Sequence, residues 1–212
     1  MTRSILPLAV LALAACQQPI GGARPAPGRS VVIVEEAEDW TKAASVRDSA
    51  AVETLPARWT AALAGARRSF AGKVASEGDL LDPAAALERA APTPGSYRCR
   101  AVRIGGKPAY SASRPGFCYV TSVDDQLSFA SEIPGRRLGG YLWDVKDRRR
   151  LVFLGSAIPG KARIAPAYGS SPAGDISGLF ERIGEFRFRL TLPDPADAAA
   201  LIVLDITAAP RA

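Results

Sequence analysis

The segment that most constrains the fold is Glu185-Phe-Arg-Phe-Arg-Leu-Thr-Leu192, in which four apolar residues alternate with polar ones. A period of two puts Phe186, Phe188, Leu190 and Leu192 on one face of an extended strand and Arg187, Arg189 and Thr191 on the other. A helix would scatter the same apolar set around its cylinder. Downstream of Ala91-Pro-Thr-Pro-Gly95 the chain keeps to strand-like runs. Candidate strands are Tyr97–Ile104, Phe117–Val123, Leu127–Ile133, Leu138–Trp143, Arg150–Leu154, Leu179–Ile183, Phe186–Leu192 and Leu201–Ile206. Asp124-Asp125, Pro134-Gly135, Ile183-Gly184-Glu185 and Pro193-Asp-Pro195 punctuate the gaps with turn-forming residues. Eight short strands joined mainly by tight turns predict an antiparallel meander, either a small closed barrel or a curled sheet. Strand order, and the choice between barrel and sandwich, stay open at this level.

Upstream the period changes. From Thr54, apolar residues recur at Leu55, Trp59, Ala62, Ala66, Phe70 and Val74, steps of three and four that fall on one helical face. Thr54 is the expected N-cap, Pro56 falls in the first turn, and Gly78-Asp79 is the expected stop. Such a stripe reads as a core contact rather than a binding groove. Asp82-Pro83 predicts a second short helix to about Ala90, and Trp40 to Val52 is a further helical candidate. The expected fold class is α+β, mainly antiparallel β, with N-terminal helices packed on an eight-strand meander. Residues 39–91 would supply the helices and 92–212 the β domain of one compact unit. A chain of 212 residues with 48% apolar content suits one domain plus appendages and excludes wholesale disorder.

The appendages carry an address. Arg3 precedes an apolar run from Ile5 to Ala15 that is too short to span a bilayer but has the shape of a secretory signal, residues 1–15. Its ending, Leu13-Ala14-Ala15-Cys16, is similar to the lipobox of bacterial lipoproteins. That likeness implies cleavage before Cys16, a diacylglyceryl group on its thiol and acylation of the new amine, because two or three acyl chains anchor stably where one does not. Gln17 follows Cys16, which under the usual sorting logic implies the outer membrane, facing the periplasm. Residues 16–38 form a linker: Gln17 to Ser30 holds three glycines and three prolines, and Val31–Val34 is a candidate edge strand before a run of acids. With Cys16 consumed by lipid in an oxidising compartment, Cys99 and Cys118 remain, each in a candidate strand. A cross-strand disulfide between them is expected, and closing a loop of that size stabilises a fold by about 3 kcal/mol.

Several short motifs carry a family likeness. They are Leu80-Leu-Asp-Pro83, Gly95-Ser-Tyr-Arg-Cys-Arg100 with Gly105, Phe117-Cys118, Tyr168-Gly169, Asp175-Ile-Ser-Gly178, Phe180-Glu-Arg-Ile-Gly184 and Arg187-Phe-Arg-Leu-Thr-Leu-Pro193. From about Trp40 onward the chain resembles the bacterial family called domain of unknown function 4893. Ser131 to Leu142 departs from the more polar stretch expected of that family. The resemblance implies an envelope location and a single domain, and it brings no activity with it.

The chemistry is bounded by one count. With no histidine there is no Ser-His-Asp or Cys-His apparatus, no His-ligated metal and no imidazole base. Nucleophile-elbow, Ser-x-x-Lys and phosphate-loop signatures are missing, and Ser69 and Lys73 stand four apart rather than three. Carboxylate pairs are the remaining acid–base route, drawn from Asp124, Asp125, Glu132, Asp144, Asp175 and Glu181. Asp124-Asp125 reads better as a turn, and Asp144-Val-Lys-Asp147 is too sparse for calcium. No catalytic residue, metal site or cofactor is therefore expected.

Arginine is the remaining feature, at 22 residues against five lysines. Arg98 and Arg100 share one strand face and Arg187 and Arg189 another, with Arg136-Arg137 and Arg148-Arg149-Arg150 nearby in the chain. If those faces adjoin, they form a candidate anion-binding surface for peptidoglycan carboxylates, lipid head groups or an acidic protein. The plainer reading makes arginine the default solvated cation. Nucleic acid does not suit an exported chain whose basic residues are interspersed with acids. The functional expectation is a lipid-anchored periplasmic binding or envelope-maintenance module without catalysis. One alternative is an inhibitor of a lytic enzyme or protease, since Tyr97-x-Cys99 resembles the opening of lysozyme-inhibitor lipoproteins. The other is a carboxylate-based envelope glycan hydrolase.

Overall fold

The computed structural model describes residues 39–209. The expected signal segment, Cys16, the expected linker and the candidate strand Val31–Val34 lie outside the described residues.

All eight expected strands are present, with a ninth among them: β1 (Gly95–Gly105), β2 (Tyr110–Ala112), β3 (Gly116–Val123), β4 (Gln126–Ile133), β5 (Arg136–Asp144), β6 (Arg150–Ala157), β7 (Asp175–Arg182), β8 (Arg187–Pro193) and β9 (Ala200–Ala208). From β3 to β9 each strand pairs antiparallel with the next, and β9 pairs back on β1 from Tyr97↔Ala208 to Gly105↔Ala200. Eight strands thus close into a barrel, which leaves no long open edge for another chain to extend. The extra strand β2 shares the second edge of β1: β3 takes Gly95 to Cys99, and β2 takes Val102 to Ile104. Three residues are too few to display a period, so β2 left no trace in the pattern. Between β3 and β4, Asp124 and Asp125 both have positive φ, 47° and 65°, the backbone of a two-residue type I′ hairpin turn.

The barrel interior is filled. Inward-facing Phe153, Phe129, Phe180, Phe188 and Tyr97, from β6, β4, β7, β8 and β1, form an unbroken chain of rings with centroids 5.6–6.2 Å apart. Space for them comes from small residues on facing strands. Phe129 stands opposite Gly140, Gly140 opposite Gly155, and Phe153 opposite Gly178. A Cβ on Gly155 would sit 2.8 Å from the Gly140 Cα, closer than packed carbon atoms approach. The Cys99–Cys118 disulfide lies among these side chains and joins β1 to β3, with Cα atoms 5.9 Å apart.

The outer face of β6 to β9 and β1 is covered by helix. After a single turn, α1 (Trp40–Ala43), the long helix α2 (Val46–Ser76) lays Val52, Leu55, Trp59, Leu63 and Ala66 over Val102, Ile104, Leu154, Leu179 and Val203. Gly105, at φ 77°, passes under the helix where a Cβ would lie 2.8 Å from the Ala62 Cβ. Fully burying side chains of this kind is worth about 1.5–3 kcal/mol each.

Two helical expectations need correction. Thr54 is not a cap: α2 starts at Ser45, whose hydroxyl accepts the Asp48 N–H, and Thr54 sits mid-helix donating to the Ala50 carbonyl at 2.8 Å. Buried Val52 continues the apolar stripe upstream, and that packing outweighs the cost of Pro56 inside a helix, about 3 kcal/mol. The helix departs from regular geometry at Phe70 (φ −135°, ψ 34°) and then runs on to Ser76. The second correction concerns Asp82 to Ala90, which is not a helix. After the 3-10 turn Gly78–Leu81 it opens with an Asx turn, Ala84 N–H to Asp82 Oδ1 at 2.8 Å, and then bridges β7 through Leu87 and Arg182. Its carbonyls find arginine donors instead of helical N–H groups: Asp82 from Arg189, Ala86 from Arg149, Glu88 from Arg182.

Candidate binding surface

The two arginine pairs do adjoin, but the intervening strand carries acid. Across the barrel wall the register reads Arg100 (β1), Asp205 (β9), Arg189 (β8), Glu181 (β7) and Arg150 (β6), alternating in sign at every step. Arg189 is 1% exposed beneath α2. Its Nε donates to Glu181 Oε2 at 2.7 Å, its Nη1 donates to the Asp79, Leu80 and Asp82 carbonyls at 3.2, 3.3 and 2.6 Å, and its guanidinium lies 4.8 Å from the Trp59 ring centre. Arg187 grips Asp205 with two bonds of 2.8 and 3.1 Å, and Arg100 bonds both Asp205 and Glu77. Arg98, exposed on β1, has no carboxylate within ion-pair distance among the described residues. Locating Asp205 and Glu181 beforehand required the strand order, which periodicity does not encode.

Glu77, at the C-terminal end of α2, sits almost buried among Arg100, Tyr110 and Asp205. Burial pushes its pKa up, yet the hydrogen bonds from Arg100 and Tyr110 outweigh that and hold it below the ordinary glutamate value of 4.5. The same burial and the Glu77 carboxylate push the Tyr110 hydroxyl up to about 12. A second latch joins the start of α2 to the β6–β7 loop. The Tyr168 hydroxyl donates to Asp48 Oδ2 at 2.6 Å, and Ser45 Oγ donates to the same oxygen at 2.7 Å. Burial raises the Asp48 pKa, and these hydroxyls with Arg47 bring it below the ordinary 3.8. At the opposite barrel end Arg103 holds Asp194 at 2.6 Å and Asp197 at 2.9 Å.

The carboxylates considered for catalysis are placed as follows. Asp124 and Asp125 form the turn described above, Glu132 pairs with Arg137 at 3.1 Å, and Glu181 pairs with Arg189. Asp175 accepts the Ser156 hydroxyl at 3.1 Å and the Gly169 N–H at 3.2 Å, and Asp144 is exposed at the end of β5. Among the described residues no three of Cys, Asp and Glu converge as metal ligands. Cavities open on the surface of the described residues. One, of about 610 Å³, lies between the end of α2 and the Gly78–Leu81 turn, and another, of about 310 Å³, lies at the barrel rim beside Arg103, Ser113 and Arg136.

The wall that α2 leaves uncovered has a different character. Outward-facing Phe117 and Tyr119 on β3 and Tyr141 on β5 are 50%, 41% and 40% exposed. Ala130 and Gly139 separate Tyr119 from the β6–β7 loop, which crosses β5 with Ala165 against Gly139 and Ile164 82% exposed. Arg137 pins that loop by donating to the Gly160 and Ala162 carbonyls at 3.1 and 2.6 Å. Behind the patch, Cys118 points inward between Phe117 and Tyr119, so the disulfide stiffens the strand that presents them. Alternation puts Phe117 and Tyr119 on one face of β3 and Cys118 and Val120 on the other, but both faces are apolar, so the pattern alone does not say which one points outward. Nothing in the pattern said that this wall, rather than another, would lack a helix.

A family model described as Domain of unknown function (DUF4893) matches residues 40–206. No curated protein and no solved structure matches the chain.

Proposed function

The chain belongs to the DUF4893 family, and from that premise we propose that it is a non-catalytic binding module of the bacterial cell envelope. Acyl chains on Cys16 hold it in the outer membrane facing the periplasm, and it meets an envelope component through the bare wall of β3 to β5. The observation carrying this reading is the contrast between a barrel whose interior is packed with aromatic rings and an outer wall that exposes rings of the same kind. A filled interior leaves a small-molecule carrier no lumen to use. The arginines on the other wall support the same reading, because Arg100, Arg187 and Arg189 are occupied by Glu77, Asp205 and Glu181. Nucleic acid is not among the partners we propose.

Metabolic labelling with an alkyne palmitate, followed by membrane fractionation, tests the anchor. The expected result is label on the wild-type chain in the outer-membrane fraction and none on Cys16→Ser. A soluble, unlabelled wild-type chain contradicts the proposal. Measurable inhibition of lysozyme or a periplasmic protease by the purified protein would replace the envelope-component reading with that of an inhibitor.

A further inference from the structure

We propose that the uncovered wall of β3 to β5 is a membrane-docking face that receives anionic phospholipid head groups, laying the barrel against the bilayer to which Cys16 tethers it. The inference rests on the envelope reading for the presence of that bilayer, and on the wall itself for the docking. Phe117, Tyr119, Tyr141 and Ile164 are all exposed on this side of the barrel, with the hydrogen-bonded Thr121 and Ser128 hydroxyls in the row of Tyr141. Tyrosine rings of this kind suit the boundary between water and acyl chains, where one end is apolar and the other wet.

Charge selects lipid as the occupant. Arg98, the register partner of Phe117, is exposed without a carboxylate partner among the described residues. Lys161 and Arg163 are exposed on the loop that Arg137 pins beside the same rows. Among the described acids of β3 to β5, Glu132 is neutralised by Arg137 at 3.1 Å, and Asp124, Asp125 and Asp144 lie at the strand ends. Aromatic surface bordered by uncompensated cations complements a negatively charged leaflet, at a gain of about fivefold in binding per cation.

The tether brings the two together. Twenty-two residues separate Cys16 from Asp39, so acyl chains on Cys16 would tether the barrel to the bilayer. Tethering makes docking intramolecular, so a face of modest intrinsic affinity is enough. The disulfide and the pinned loop order the surface beforehand, which lowers the entropic cost of docking.

The test is sedimentation of the chain from residue 16 onward, carrying Cys16→Ser so that no acyl chain contributes. It is run with vesicles of phosphatidylethanolamine and phosphatidylglycerol, and with vesicles of phosphatidylcholine alone. Binding is expected to the anionic vesicles only, and to weaken in high salt. Arg98→Glu with Arg163→Glu is expected to weaken it at least tenfold, and Phe117→Ser with Tyr119→Ser about as much, at unchanged melting temperature. Arg163 lies in an exposed loop, so Arg163→Glu alone keeps the test valid should a strand variant misfold. Arg67→Glu with Arg68→Glu, on α2, is expected to bind as wild type. No sedimentation, equal sedimentation with both vesicles, or wild-type binding by the Arg98 and Arg163 variant overturns the inference. If palmitate labels Cys16 in cells while the vesicles fail, the docking falls and the envelope reading stands.

Discussion

Arg189 lies in a strand with perfect alternation, on the polar face, and would be taken for a solvated cation. The helix above it makes it one of the most buried side chains of the molecule, holding Glu181, three main-chain carbonyls and the face of Trp59. A buried ion pair is weak evidence for stability when compared with an apolar replacement of both partners, but removing one partner strands the other. Arg189→Leu is therefore expected to cost about 3–5 kcal/mol in urea denaturation, against less than about 0.5 kcal/mol for Arg98→Ala on the open surface. Glu77 and Asp48 set the response to acid. Both have folded pKa values below their ordinary ones, so their stabilisation is complete above about pH 4.5 and is lost as the pH falls through the lowered folded values. Glu77→Gln is expected to flatten that acid limb in thermal melts across pH 2–6, and an unchanged slope would show that Glu77 does not set it. Tyr110 works in the opposite direction: with its hydroxyl held neutral up to about 12, stability falls as the pH rises from the ordinary tyrosine value of 10 toward that point.

At the scale of elements, the strands were legible because each carries its own evidence, a two-residue period bounded by turn formers. The segments that escaped are governed by neighbours. Pro56 looks like a helix start, and only the burial of Val52 against the barrel keeps the helix running through it. Asp82-Pro83 looks like another start, but Arg189, Arg149 and Arg182 supply the carbonyls that follow with side-chain donors from strands and turns distant in sequence. The disulfide is the one long-range link that chain arithmetic could suggest, since two cysteines remain once Cys16 is set aside. It closes a loop of 19 residues, and Cys99→Ala is expected to lower unfolding free energy by about 3 kcal/mol and expose a reactive Cys118 on unfolding. Unchanged stability would mean that strand pairing alone holds β1 to β3.

For the whole molecule, closure is the decisive event. Pairing of β9 with β1 joins elements some hundred residues apart, turns two edges into a seam, and brings Asp205 between Arg100 and Arg189. Periodicity is silent about that seam, which is why the candidate surface could be listed by residue in the sequence but not weighed. Once the seam is known, Arg100, Arg187 and Arg189 prove to be matched by Glu77, Asp205 and Glu181 on the α2 side, while Arg98, Lys161 and Arg163 have no carboxylate partner among the described residues. The docking proposal stands on the contrast between the carboxylate-matched arginines beside α2 and the exposed Phe117, Tyr119 and Tyr141 of β3 and β5 with the unmatched cations near them. Photo-crosslinking in intact cells tests it most directly, with a crosslinkable residue placed at Tyr119, at Ile164, or at Thr60 on the exposed side of α2. The account predicts phospholipid adducts at Tyr119 and Ile164 and none at Thr60, while adducts at Thr60 alone, or equally at all three positions, would contradict it.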